Sequence, residues 1–110
     1  MRFAIGDIHA CYKSLKSMVQ EKIRPMKGDQ LIFLGDYIDR GPDGKAVLDY
    51  LIELGETSDC HFLRGNHEEM MLDAAKGPQE FRHWITNNGD TTLINFGISN
   101  YGIYRKTPCD

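Results

Sequence analysis

Leu31-Ile32-Phe33-Leu34-Gly35-Asp36-Tyr37-Ile38-Asp39-Arg40-Gly41 decides the reading of this chain: four apolar residues, a glycine, then a polar segment closed by a second glycine. The apolar run has the length of a buried strand, and glycine lets the backbone turn sharply at its end. The same junction occurs on either side. Arg2 to Gly6 leads into Asp7-Ile8-His9-Ala10, and Cys60 to Gly65 leads into Asn66-His67-Glu68. The glycines at 6, 35 and 65 are 29 and 30 residues apart, the length of a βαβ unit, about 30 residues. Between the runs lie two amphipathic stretches. Leu15, Met18, Val19 and Ile23 share one helical face, as do Val47, Leu48, Leu51, Ile52 and Leu54 after the helix-start signal Pro42-Asp43. Two such units in succession predict an α/β chain with a βαβαβ core of parallel strands buried on both faces. Beyond Gly65 the pattern is helical through Met70, Met71 and Ala74, and again from Pro78 to Thr86. Asn87-Asn88-Gly89 reads as a turn and Asp90-Thr91-Thr92 as the next helix cap. The segment 99–110 has no clear period.

The chain of 110 residues fits one domain, and 41% hydrophobic with 26% charged content is ordinary for a globular protein. No apolar run approaches the roughly 18 residues that a membrane span needs. Met1-Arg2 and the short apolar stretch after them are too brief for a secretory signal. A net charge of −3 speaks against a protein held by nucleic-acid phosphates. Cys11, Cys60 and Cys109 form no CxxC pair and are odd in number, the usage of reduced thiols in a cytoplasmic protein. The expectation is therefore a cytoplasmic protein with neither a membrane nor a nucleic-acid partner.

In an open parallel sheet the carboxyl ends of the strands share one edge, where ligands bind. The repeat spacing thus delivers Asp7, Asp36 and Asn66 to neighbouring positions from three loops. Asp7 and His9 are two apart, so in extended chain both point the same way and can grip one ion. A shell of carboxylate, imidazole and amide suits manganese, iron or zinc better than calcium. A single Gly-Asp, Asp-x-His or Asn-His is ordinary turn chemistry; all three at strand ends with one spacing point to a divalent-metal site. His61, within a strand, and His83, beside Trp84, read as structural. Gly44-Lys45 is no phosphate-binding P-loop, because Ala46 replaces the hydroxyl residue, and His67-Glu68 opens no zinc-protease motif, because position 71 is Met.

Together GDIHA (6–10), GDYIDRG (35–41) and GNHE (65–68) resemble the three amino-terminal motifs of the phosphoprotein phosphatase branch of binuclear metallophosphatases. The likeness is greatest to bacterial and phage serine/threonine phosphatases, through Glu69-Met70-Met71-Leu72, Trp84 and the Asn88-Gly89 to Thr92-Leu93 stretch. Ala10 departs from the family's glycine, adding a methyl beside the metal loop without removing a ligand. The resemblance implies that Asp7, His9 and Asp36 hold a first metal. Asp36 would bridge to a second metal that also takes Asn66. It further implies His67 as the acid that protonates the leaving oxygen, with Asp39 orienting its imidazole and stabilising the charged form. Arg40, with Asn66, would hold the substrate phosphate. Manganese is the expected metal, with iron or zinc as alternatives.

The family's second half supplies further histidine ligands and a second sheet, and nothing after Gly97 resembles it. Residues 1–110 are therefore expected to form a single, incomplete metallophosphatase domain, the amino-terminal half of a calcineurin-like sandwich followed by helices, with an incomplete second metal site. The implied substrates are phosphorylated proteins or small phosphoesters. The alternatives are a diadenosine tetraphosphatase-like hydrolase and a non-catalytic metal-binding half-domain. Strands with no polar alternation at Ala4, Ile5, Leu31 to Leu34, Phe62 and Leu63 would leave one sheet face bare. Self-association or dependence on a missing carboxy-terminal half is then expected, since 99–110, with Asn100, Arg105 and Lys106, is a poor cover.

Overall fold

A computed structural model describes residues 1–98; the segment 99–110, Cys109 included, lies outside the described residues. Three short strands, β1 (Arg2–Ile5), β2 (Gln30–Phe33) and β3 (Asp59–Phe62), pair in parallel in the order β1-β2-β3. The α/β reading from the glycine spacing is borne out. The first crossover is α1 (Tyr12–Ser17), which continues in wider π-helical turns over Met18–Ile23. Those turns close with the Arg24 N–H donating to the Val19 carbonyl at 2.8 Å, and Arg24 itself turns left-handed at φ 47°. The second crossover is α2 (Gly44–Thr57).

Strand residues alternate between faces, and the register fixes which side chains meet. Phe3, Leu31 and Cys60 align across the sheet, as do Ile5, Phe33 and Phe62. Their face packs with Leu15, Val19, Val47 and Leu51 into the core. Ile52, grouped with these from helical spacing, instead lies 66% exposed, rotated off the stripe that Val47 and Leu51 bury. Phe62 stacks on Phe33 with ring centroids 5.2 Å apart, so it belongs to the helix-covered face.

The opposite face is open. Toward the strand starts it carries a polar ladder: Arg2 Nε donates to Gln30 Oε1 at 2.9 Å, and Gln30 Nε2 donates to Asp59 Oδ2 at 3.1 Å. The expectation of strands without polar alternation therefore fails at this end, because Arg2, Gln30 and Asp59 share one face. Only toward the strand ends does the open face turn apolar, with Ile32 half-buried and Leu34 and Leu63 49% and 52% exposed.

After β3 come α3 (Asn66–Asp73), a 3-10 turn (Ala74–Lys76), α4 (Pro78–Trp84) and α5 (Asp90–Asn95). The Asn87-Asn88-Gly89 turn lies where expected: Asn88 has φ 74° between α4 and α5. Gly89 sits against Trp84, where a Cβ would come within 2.4 Å of the indole. Among the described residues no helix is long and apolar enough to cross a membrane.

Candidate active site

The loop after β1 is stitched to the loop after β2 by main chain, and side chains join the third loop to the second. His9 N–H donates to the Asp36 carbonyl at 2.9 Å and Ala10 N–H to the Tyr37 carbonyl at 2.8 Å. Gly35 (φ 109°) passes so close to the third loop that a Cβ there would lie 2.4 Å from Gly65 N. Glu68, at the start of α3, completes the junction. Its carboxylate accepts the N–H groups of Asp36 (2.6 Å), Gly65 (2.9 Å) and Tyr37 (2.8 Å). Tyr37 is buried, and its hydroxyl lies 2.7 Å from the Leu63 carbonyl and 3.0 Å from that of Phe33. Burial, reinforced by the Glu68 carboxylate, pushes this hydroxyl up to about 12.

The junction brings the metal-ligand candidates together. One ligand atom each of Asp7, His9 and Asp36 lies within 4.8 Å of the others. The route differs from the extended chain expected of Asp7 and His9. Both residues are left-handed, at φ 54° and 41°, and turns rather than strand alternation aim them at one point. Ala10 (φ 60°), Asp36 (φ 56°), Asp39 and Arg40 (both φ 72°) share this conformation. Each such residue costs on the order of 1–3 kcal/mol and persists only where its surroundings over-determine it. Here the inter-loop hydrogen bonds do so. Ala10, where the family pattern has glycine, is wholly buried in this strained backbone.

The donor set fits a divalent ion. His9 Nδ1 donates to the Ile38 carbonyl at 3.0 Å, because a carbonyl can only accept, and this leaves the Nε2 lone pair available. Asp36 Oδ1 accepts the His67 N–H at 3.0 Å, which fixes its carboxylate. Two carboxylates and an oriented imidazole suit the manganese, iron and zinc class. Asn66, the fourth candidate, stands at the start of α3 and lines the same cleft.

Beside these ligands lies a buried polar cluster. Asp39 is wholly buried and His67 nearly so, and His67 Nδ1 sits 2.7 Å from Asp39 Oδ2. Trp84 Nε1 donates to the same oxygen at 2.9 Å, while Thr92 Oγ1 donates to Oδ1 at 2.5 Å. The sequence reading paired His67 with Asp39 but gave Trp84 and Glu68 no part in the site and saw Thr92 only in a helix cap. Glu68 carried a signal: a glutamate three residues past a helix start caps that start. Trp84 and Thr92 reach Asp39 from 45 and 53 residues away, which no local pattern reveals.

Asp7, His9, Asp36, Arg40, Asn66 and His67 all line one cleft of about 900 Å³. His83 joins them as an exposed lining residue, instead of packing beside Trp84 as a structural one. His61 stands on the open sheet face with Nε2 3.3 Å from Asp59 Oδ1, away from the cleft.

Residues 3–107 match the family model described as calcineurin-like phosphoesterase. The chain belongs to this family. A serine/threonine-protein phosphatase 1 of Salmonella typhimurium is 40% identical over 88 residues, covering 80% of this chain and 38% of the relative. Serine/threonine-protein phosphatase 2 of Escherichia coli is 38% identical over 88 residues, with the same shares. A symmetrical bis(5'-nucleosyl)-tetraphosphatase of Buchnera aphidicola is 30% identical over 100 residues, 86% of this chain and 36% of that protein. The chain thus spans under two-fifths of the length of these relatives. For a calcineurin-like phosphoesterase, the three parallel strands and their helices are the amino-terminal part of the fold, in accord with the resemblance read from the three motifs.

Proposed function

We propose that this chain is the amino-terminal part of a cytoplasmic, metal-dependent phosphomonoester hydrolase of the serine/threonine protein phosphatase type. The observation that carries the reading is the convergence of Asp7, His9 and Asp36 within 4.8 Å, in a cleft shared with Arg40 and the buried His67–Asp39 pair. Asp7, His9 and Asp36 would hold the first divalent ion, and Asp36 with Asn66 would reach a second; manganese is proposed for both. When bound, the ions supply positive charge and water activation.

The chain's own residues do the rest. The Arg40 guanidinium, exposed in the cleft, presents a planar fork to non-bridging phosphate oxygens. His67 has Nδ1 committed to Asp39, so Nε2 is the ring nitrogen that faces the substrate. From the imidazolium it gives its Nε2 proton to the serine or threonine oxygen as the P–O bond breaks, and the alcohol leaves neutral. Asp39, anionic and out of contact with water, holds the ring's orientation through that transfer.

The rival substrate is a dinucleoside tetraphosphate, which the named activity of the Buchnera relative supports. Glu69, Asp73 and Glu80 also line the cleft, and their negative charge repels a polyphosphate tail and tolerates a peptide. Competition between a phosphoserine peptide and diadenosine tetraphosphate for the manganese-loaded chain ranks the two, and preference for the nucleotide would overturn the protein-phosphatase reading. Metal binding tests the site itself. Calorimetry with manganese should show one measurable site and a second, weak one. Asp36→Asn should weaken both by about tenfold or more. Hydrolysis of p-nitrophenyl phosphate by the chain alone should be very slow. Equal, tight binding at two sites, or robust turnover lost in His67→Asn, would show that this part suffices alone; no manganese binding would defeat the proposal.

A further inference from the structure

The Asp39 carboxylate has its two oxygens divided between different partners. Oδ2 faces His67 Nδ1 and Trp84 Nε1, at 2.7 and 2.9 Å, and Oδ1 takes the Thr92 hydroxyl at 2.5 Å. The same Thr92 oxygen accepts the Asp39 main-chain N–H at 2.9 Å. A hydroxyl can, through its single oxygen, accept from the backbone and donate to the carboxylate of one residue at once. Asp39 is wholly buried and Thr92 nearly so, so water has no room to stand in for that hydroxyl. The hold extends along α5. Thr91 Oγ1 accepts the Arg40 N–H at 2.8 Å and Asn95 Oδ1 the Gly44 N–H at 2.6 Å.

We propose that Thr92 is a positioning residue: by locking the Asp39 carboxylate from behind, it fixes His67 in the tautomer that carries its proton on Nδ1 and keeps Nε2 toward the cleft. The relevance to catalysis rests on the function proposed for His67. The chemistry of the lock does not. An ionised carboxylate only accepts, so a neutral imidazole must put its hydrogen on the nitrogen that faces it, and the anchor at Oδ1 keeps Oδ2 opposite Nδ1. Without the hydroxyl, a buried anionic oxygen and a buried N–H both lose their partner. The carboxylate, held then at Oδ2 alone by Trp84 and His67, can turn toward other donors and loosen its hold on Nδ1.

The test is nitrogen NMR on the metal-free chain, labelled in histidine and tryptophan, at pH 9. The wild type should show His67 predominantly in the Nδ1–H tautomer and a Trp84 indole N–H protected from exchange. Thr92→Val, close in shape but without the hydroxyl, should lower the tautomer preference by about tenfold or more, the worth of one hydrogen bond to a charged group. The indole N–H should then exchange faster. Thr92→Ser should restore both signals. A Thr92→Val protein that keeps the wild-type tautomer and indole protection, whatever its melting temperature, would reduce Thr92 to a structural role and overturn the proposal. If Thr92→Val does not fold, the serine variant and the wild type still decide, because an Nε2–H tautomer in either one contradicts the lock. The readout needs no turnover, so failed hydrolysis and a failed lock are told apart.

Discussion

Tyr37 shows what one side chain contributes to this site. Its hydroxyl, buried under the loop that carries Asp36 and Asp39, reaches the Leu63 and Phe33 carbonyls, and its backbone N–H is bound by Glu68. Tyr37→Phe takes the donor from the Leu63 carbonyl, while that of Phe33 keeps the Leu63 N–H, and should cost about 1 kcal/mol of stability at neutral pH. The hydroxyl's value, raised from about 10 to about 12, sets a second expectation. Folding favours the protonated phenol, so the stability it contributes is complete below pH 10 and is lost as pH climbs from about 10 to about 12. Denaturation of the wild type by urea across that range should show a loss of stability that is diminished in Tyr37→Phe. Equal alkaline slopes for the two proteins would show that Tyr37 is not the titrating group.

At the scale of elements, the site is a junction of three strand-end loops, and Glu68 is its fastener. Glu68→Gln keeps the size of the side chain but replaces one acceptor oxygen by an amide donor, which must face a backbone N–H of Asp36, Gly65 or Tyr37. Loss of about 2 kcal/mol of stability is expected. Manganese affinity should fall with it, although Glu68 is no ligand, because Asp36 loses its backbone anchor. Unchanged affinity measured by calorimetry would show that Asp36 is positioned by other contacts. This junction also marks how far the sequence could be read. Strand-end glycines at equal spacing made the sheet, the crossovers and the meeting of Asp7, His9 and Asp36 legible, because strand direction alone carries those residues to one edge. The left-handed turns at Asp7 and His9 were hidden, since neither residue type announces that conformation and only the hydrogen bonds of neighbouring loops impose it. Trp84 and Thr92 were hidden for a related reason: their roles exist only once α4 and α5 have folded back over the loop after β2.

For the molecule as a whole, the unequal faces of the sheet carry the last expectation. Both crossovers pack their apolar side chains against the face of Ile5, Leu31 and Phe33, so the face of Ile32, Leu34 and Leu63 receives no helix among the described residues. Leu34 leans over Gly6, 3.4 Å from where a Cβ would stand, which joins the apolar strip to the end of β1. The strip stops at the Arg2–Gln30–Asp59 ladder, so a partner covering it must meet apolar surface at one end and a polar row at the other. A second copy of the chain satisfies both needs, since it offers the same two features about a twofold axis. At about 25 cal/mol per Å², covering 400 Å² of such surface is worth roughly 10 kcal/mol before association costs. The isolated chain is therefore expected to self-associate through this face, and Leu34→Lys with Leu63→Lys should return it to a monomer by placing two like charges on the strip. Light scattering decides: a wild-type chain that stays at 12.6 kDa at high concentration and binds no hydrophobic dye contradicts the expectation. Association that survives both lysines would move the contact to another surface.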